Sequence, residues 1–257
     1  MKEFLKRKLN PISYMYVWLI VPMQREPMIN ILAKDGIMLM TTEINSMKDA
    51  ETMVGGLSAP SKMPSYAWSI SAKRCNIGST LANVEGSVCY NCYALKGRYM
   101  FPMVQNALEN RYKAWESNRE QWVDAMIYIM HNKKHIIDTG HFRWFDSGDI
   151  QGWSMLSDIN TIAWASPHIK FWLPTKEYRL IRMFNKEIAP NLIVRVSNPN
   201  KGKNTLKGYE YISTVYSKDN VTTSEGYVCP SSTQGNKCGD CRACWSDRVS
   251  EVTYLAH

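Results

Sequence analysis

The sequence predicts an α/β protein, a partial or distorted (β/α) barrel with cysteine-rich loops. Apolar strand-like runs alternate with helix-period segments from about residue 66 to residue 215. A short polar sequence directly follows most of those runs. Seven cysteines fall in two groups, one after the first strand-like run and one after the last. At 257 residues, 45% hydrophobic and 21% charged, the chain can bury a large core, and those values exclude a disordered or fibrous class.

Residues 1–52 read as a variable lead-in rich in Met, so a later Met is a candidate start. Its apolar stretch Tyr14 to Met23 follows Lys2, Lys6, Arg7 and Lys8 and has the outline of a secretory signal. Gln24-Arg25-Glu26-Pro27 offers no small-residue cleavage site, and about ten apolar residues are too few to cross a ~30 Å bilayer core. No membrane association is expected.

Residues 53–220 form the predicted barrel-like domain. Tyr66-Ala67-Trp68-Ser69-Ile70 alternates as a half-buried strand does and leads into the first cysteines. From Met103, residues Val104, Ala107, Leu108, Tyr112 and Trp115 have helical spacing, and Ser117-Asn118-Arg119-Glu120 reads as a capping box opening a second helix. Phe142 to Phe145 is a strand, Trp153 to Ala163 a helix and Ile169 to Leu173 a strand. A helix carrying Tyr178, Ile181, Phe184 and Ile188 follows, then strands Leu192 to Val196 and Tyr211 to Val215. Parallel β-α units of this kind collect the loops after their strands on one face, where ligands bind. Trp68, Trp115, Trp122, Trp144 and Trp172 lie on apolar faces and are assigned to the core.

The loops on that face are Asp146-Ser147-Gly148-Asp149, Pro174-Thr175-Lys176-Glu177 and Ser197-Asn198-Pro199-Asn200. Ordinary turn and helix-cap chemistry explains such residues. Their coincidence with the first cysteine loop favours a shared small-molecule site. Ser147, Gly148, Asp149, Lys176 and Asn198 are its candidate cofactor-binding residues: an acid suits an amine, a cation suits a carboxylate or phosphate, and an amide suits either.

Residues 221–257 form the C-terminal cysteine-rich segment. Cys229, Cys238, Cys241 and Cys244 supply four thiolates, three of them at two-residue intervals, and so form a complete shell for a metal centre. Iron-sulfur spacing fits that run more closely than paired zinc hooks do. Cys75, Cys89 and Cys92 supply only three, so a four-iron (4Fe-4S) cluster there would keep one iron open to a small molecule. A zinc site completed by a histidine, or one metal shared by both groups, are the alternatives. His131 and His135, four residues apart, are the histidine candidates. An odd cysteine count in tight groups suits reduced thiols in a cytoplasm.

At these residues the chain resembles a phage family, the gene product 88 proteins. The likeness rests on Gly55-Gly56-Leu57-Ser58-Ala59-Pro60-Ser61-Lys62, on Cys89-Tyr90-Asn91-Cys92-Tyr93-Ala94 followed by Gly97, on Arg143-Trp144-Phe145-Asp146-Ser147-Gly148-Asp149, and on the cysteine run ending at Trp245. It covers roughly residues 54–248 and implies a bacteriophage origin, with the cytoplasm of an infected bacterium as the location. More distantly the chain is similar to radical S-adenosylmethionine enzymes. That resemblance implies S-adenosylmethionine at the three-cysteine cluster, Gly148-Asp149 at its methionine amine, and an auxiliary cluster near the chain end. Thirteen residues separate Cys75 from Cys89 where those enzymes have three, and Asn91 stands where they place an aromatic.

Three functions follow as expectations. The first is an iron-sulfur enzyme of radical S-adenosylmethionine type, with one open and one auxiliary cluster. The second is a non-catalytic iron-sulfur protein that exchanges electrons with a redox partner protein. The third is a zinc-stabilised nucleic-acid binder, for which the net charge of +8 and the aromatics Trp245 and Tyr227 speak.

Overall fold

The computed structural model describes residues 30–33, 36–39 and 42–256. The signal-like stretch Tyr14 to Met23 lies outside them. The elements in chain order are β1 (Asn30–Ala33), β2 (Gly36–Leu39), α1 (Met47–Met53), β3 (Ala67–Trp68), α2 (Asn76–Leu81), α3 (Pro102–Ser117), α4 (Arg119–Asn132), α5 (Lys134–Thr139), β4 (His141–Trp144), α6 (Trp153–Ala165), β5 (Lys170–Thr175), α7 (Tyr178–Met183), β6 (Leu192–Ser197), β7 (Ile212–Tyr216), β8 (Tyr227–Val228) and β9 (Glu251–Leu255). Strands β1 and β2 form an antiparallel hairpin. No described helix is long and apolar enough to cross a membrane.

The other seven strands form one parallel sheet in the order β3-β4-β5-β6-β7-β9-β8. This is the α/β class expected from the alternation, and the sheet is not closed. From β3 to β7 the spatial order follows the chain order without the reversal of a doubly wound sheet, so crossovers of one hand put their helices on one face.

Alternation along the strands sorts the side chains between two faces. Phe142, Trp144, Phe171, Leu173, Leu192 and Val194 point to the helices and join the main core with Met126, Ile129, Leu156 and Ile159. Trp68, Trp122 and Trp144 pack edge to face or tilted, their rings 5.0–6.3 Å apart. Helix α1 adds Ala50 to this core, so the end of the lead-in is part of the fold. The opposite face carries Arg143, Trp172 and Arg195, covered by the C-terminal segment. That segment also contributes β8 and β9 to the sheet.

Three local expectations are corrected. Asn118, not Ser117, caps α4: its side chain accepts from Gln121 N at 3.1 Å, while Ser117 completes α3. The helix begun at Tyr178 ends at Met183; Ile188 lies beyond it, ahead of Pro190, which could not continue a helix. His135 lies on α5 and not on the helix of His131, because the chain leaves helical geometry at Lys133 (ψ 101°).

Candidate metal and ligand site

The first cysteine loop starts where β3 ends. Ser71 caps a short helical turn, its side chain accepting from Lys73 N, and the chain then reaches Cys75 and α2. The loop is tied to the one after β6: Val88 N donates to Pro199 O (2.8 Å) and Lys201 N to Gly86 O (3.0 Å). Buried Ser87 holds the turn, donating to Leu81 O and accepting from Tyr90 N. Asn91 adopts φ +63°, and Cys92 N closes the turn onto Cys89 O at 3.0 Å. Asn tolerates the left-handed region far better than an aromatic does, which explains the residue found between the two cysteines.

Gly78 keeps space between the thiols. A Cβ there would stand 3.5 Å from Cys75 Sγ and 3.6 Å from Cys89 Sγ. Burial pushes the Cys75 thiol well up, reinforced by Asp149, Cys89, Cys92 and Glu177. Burial also raises Cys89, and Lys176 opposes it. Lys176 itself is lowered by burial, against the pull of Cys89, Asp149, Cys75 and Cys92. The three predicted cysteines, Asp149 and Lys176 therefore share one buried field at the C-terminal edge of the sheet.

The predicted ligand residues do different work in that edge. Asp149 accepts from Thr175 Oγ1 (2.7 Å), Ile150 N (2.8 Å) and Lys176 N (2.8 Å), yet burial still lifts its carboxyl to about 6. Lys176 Nζ donates to Ser197 Oγ (2.7 Å) and Asn198 O (2.9 Å). Asn198 spends its side chain on its own loop, donating to Asn200 O and Lys203 O and accepting from Thr205. Ser147 Oγ donates to Ile70 O at 2.6 Å, and Gly148 at φ +81° lies so near that a Cβ would meet Ile70 O at 2.7 Å. Ser147 and Gly148 thus lock β3 to β4, while Asp149 and Lys176 border the thiols.

The second group is built on the inner face of the sheet. Cys229 N bonds Thr253 O, Cys238 N bonds Lys62 O, and Trp245 Nε1 donates to Phe142 O at 2.8 Å. Arg195, fully buried on β6, gathers the loop by donating to the carbonyls of Ile212, Ser250, Ala243, Ser246 and Val249. Cys244 Sγ lies 3.1 Å from Tyr254 OH and Cys241 Sγ 3.6 Å from Tyr227 OH. Burial lifts Cys244 to about 12, against Tyr254, Arg195 and Arg143. Cys238 is also raised by burial and then by Cys229, with Arg143 opposing.

Sequence reasoning missed Arg143 as a functional residue. Its guanidinium donates to Met63 Sδ (3.0 Å), lies 4.4 Å over the Trp172 ring and makes no ion pair among the described residues. It acts on Cys244 and Tyr254 on one side and on Tyr93 and Asp146 on the other. Tyr93 directly follows Cys92, so Arg143 stands between the two cysteine groups. The signal was legible: an Arg alternating with Phe142 and Trp144 must point away from the helices.

His131 and His135 are engaged away from the cysteines. His131 Nε2 bonds Ala165 O and packs on His168, and His135 packs on Tyr66. Trp245 is 2% exposed, so only Tyr227 of the two aromatics offered for base stacking is on the surface.

Among the described residues, no three His, Cys, Asp or Glu side chains converge as the ligands of a single metal ion. A four-iron cluster binds each thiolate to a different iron and needs a wider ring. Its thiolate shell is also anionic, and Arg143 Nε and Arg195 Nε are buried beside the second group without a partner. The cysteine donor set with the gap kept by Gly78 at the first group, and the four cysteines with the two unpartnered Nε–H groups at the second, are the features against which an iron-sulfur cluster is tested below.

The family model described as gene product 88 matches residues 38–247. No curated protein and no solved structure matches the chain.

Proposed function

We propose that this chain, which belongs to the gene product 88 family, is a phage-encoded iron-sulfur protein with two centres on a partial β/α barrel. Cys75, Cys89 and Cys92 would hold a 4Fe-4S cluster with one iron free for a ligand. Cys229, Cys238, Cys241 and Cys244 would hold an auxiliary cluster with a closed shell. The observation that carries this reading is the half-buried Arg143, whose Nε has no partner among the described residues and which acts on Cys244 of the second group and on Tyr93 beside the first. Asp146 offsets part of that charge, and thiolate-bound clusters would add anions on the side of the second group.

Bound clusters would supply one-electron chemistry and, at the first group, an open coordination position. The chain's own residues would do the rest. Asp149 would accept a hydrogen bond from an amine at the sheet edge. Lys176, held by Ser197 and Asn198, would place positive charge beside Cys89 and toward a carboxylate or phosphate. S-adenosylmethionine carries both an amine and a carboxylate and is the ligand we propose, in a radical enzyme. Arg143 would hold the field between the centres.

Anaerobic reconstitution with iron and sulfide tests the reading. Brown protein with iron and acid-labile sulfide in equal amounts is expected, with an electron paramagnetic resonance signal altered by S-adenosylmethionine. Colourless protein that takes up only zinc would overturn it. Iron-loaded protein that neither binds nor reductively cleaves S-adenosylmethionine would leave the non-catalytic redox protein in its place.

A further inference from the structure

The sheet edge opposite Asp149 and Lys176 has an opening of its own. A cavity of about 330 Å³ is lined by His141, Lys170, Tyr227, Cys241, Arg242 and Trp245, with small residues of the 243–249 loop. His141 and Lys170 are the first residues of β4 and β5 and pair with each other, so the cavity lies at the N-terminal edge. Cys241 belongs to the second cysteine group and forms part of the wall.

The chemistry of this mouth is one-sided. Lys170 is exposed and Arg242 donates only to the carbonyls of Gly239 and Cys241, so both charges are without a carboxylate partner among the described residues. No acidic side chain lines the cavity. His141 sits within the field of both cations, packed against Trp245 at 5.4 Å. Tyr227, 45% exposed, adds an aromatic surface beside the sulfur. A substrate bound at the first group would meet none of these residues, whereas a partner that only needs to approach a metal centre would meet all of them.

We propose that this mouth docks a small acidic electron-carrier protein, which reduces the centre held by Cys229, Cys238, Cys241 and Cys244. The inference rests on the iron-sulfur reading above. One electron leaves the reduced carrier and enters that centre; the carrier is oxidised, the centre is reduced, and no bond is made or broken. Encounters of redox proteins are small and weak, and they are steered by opposed charge. A basic rim around a thiolate near the surface provides the steering, and the opposite edge stays free for chemistry.

The test uses the reconstituted full chain, a reduced flavodoxin as the acidic probe and methyl viologen radical cation as a small cationic reductant. In the parent, flavodoxin should bind by calorimetry and reduce the protein in stopped flow, both weakening steeply with salt. Lys170→Glu should slow reduction by flavodoxin about tenfold and weaken binding similarly, a change of about 1.4 kcal/mol. Lys170→Arg should restore both. Reduction by methyl viologen should not slow, and iron content should not change. Equal flavodoxin rates in Lys170→Glu and the parent, or rates indifferent to salt, overturn the docking site and leave the cluster reading intact. Absence of iron from the reconstituted parent overturns both, and the iron assay tells the two failures apart.

Discussion

The two faces of the sheet are held together by different physics. The helix-facing side is packed with apolar side chains, among them Trp68, Trp144, Phe171 and Leu173, nearly all fully buried. Burial of each such side chain contributes about 1.5–3 kcal/mol, and nothing but packing is required. The other side carries the fully buried Arg195, the half-buried Arg143 and the cysteine loop, with Arg195 pointing five hydrogen bonds at backbone carbonyls. Stability there depends on polar groups finding partners, and Arg143 Nε, Arg195 Nε and Trp172 Nε1 have none. Trp122 Nε1 and Trp144 Nε1 on the helix side are unpartnered too, so the faces differ in what they hold: apolar rings on one, guanidinium groups and thiols on the other.

Truncation separates the faces most strongly. Trp144→Ala should cost about 3–5 kcal/mol, since it opens a cavity among Trp68, Trp122 and Phe142. The loss should be the same in iron-loaded and chelator-treated protein, measured by urea denaturation. Arg195→Met should cost about 2–4 kcal/mol, because it strands buried carbonyls of the cysteine loop. It should also lower the iron content, which Trp144→Ala leaves unchanged in whatever fraction stays folded. Equal iron in both variants would erase the proposed division between the faces.

This division also marks what the sequence made legible. The strands and helices of the apolar face were readable, because their period of alternation is set by packing alone: Phe142 to Phe145 and Leu192 to Val196 appear within a residue of where they were expected. The C-terminal strands β8 and β9 were not, since two residues at Tyr227–Val228 carry no period and Glu251 to Leu255 fell within the segment assigned to the cysteines. The candidate site was legible as residue types. Asp149 and Lys176 were placed beside Cys75 and Cys89 because loops after parallel strands gather on one edge. That Ser147, Gly148 and Asn198 are occupied in joining and shaping loops could not be read, because it depends on contacts with Ile70 and Thr205 across the fold. Arg143 was quoted in a motif without its orientation being used.

Gly78 offers a change that touches the first cysteine loop alone, at the sheet edge and away from both faces. Alanine is the better helix former but the position is tight, so Gly78→Ala in α2 should change the stability of the apo protein by no more than about 1 kcal/mol in either direction. The new methyl would lie 3.0 Å from Cys75 Cβ and between the sulfurs of Cys75 and Cys89. Reconstituted protein should then lose the iron of the first group and keep that of the second, as iron and sulfide analysis would register. Unaltered iron with unaltered stability would mean that the gap at Gly78 is not part of a cluster site.

The smallest expected effect belongs to the helix-packed face and depends on pH. His131 is held below its ordinary value of 6.5, first by burial and then by His168, against its bond to Ala165 O. The unfolded chain therefore binds a proton at a higher pH than the folded one, and stability rises with pH across that window. It should be fully present above about pH 6.5 and decline as the pH falls below it, until His131 is protonated in both states. His131→Gln keeps a donor for Ala165 O without the titration, so its urea midpoint should change less between pH 7.5 and pH 5.5 than the parent's. The same contrast should persist after iron is removed, because His131 contacts neither cysteine group. Dependence of the contrast on iron would show the two faces to be coupled through the sheet.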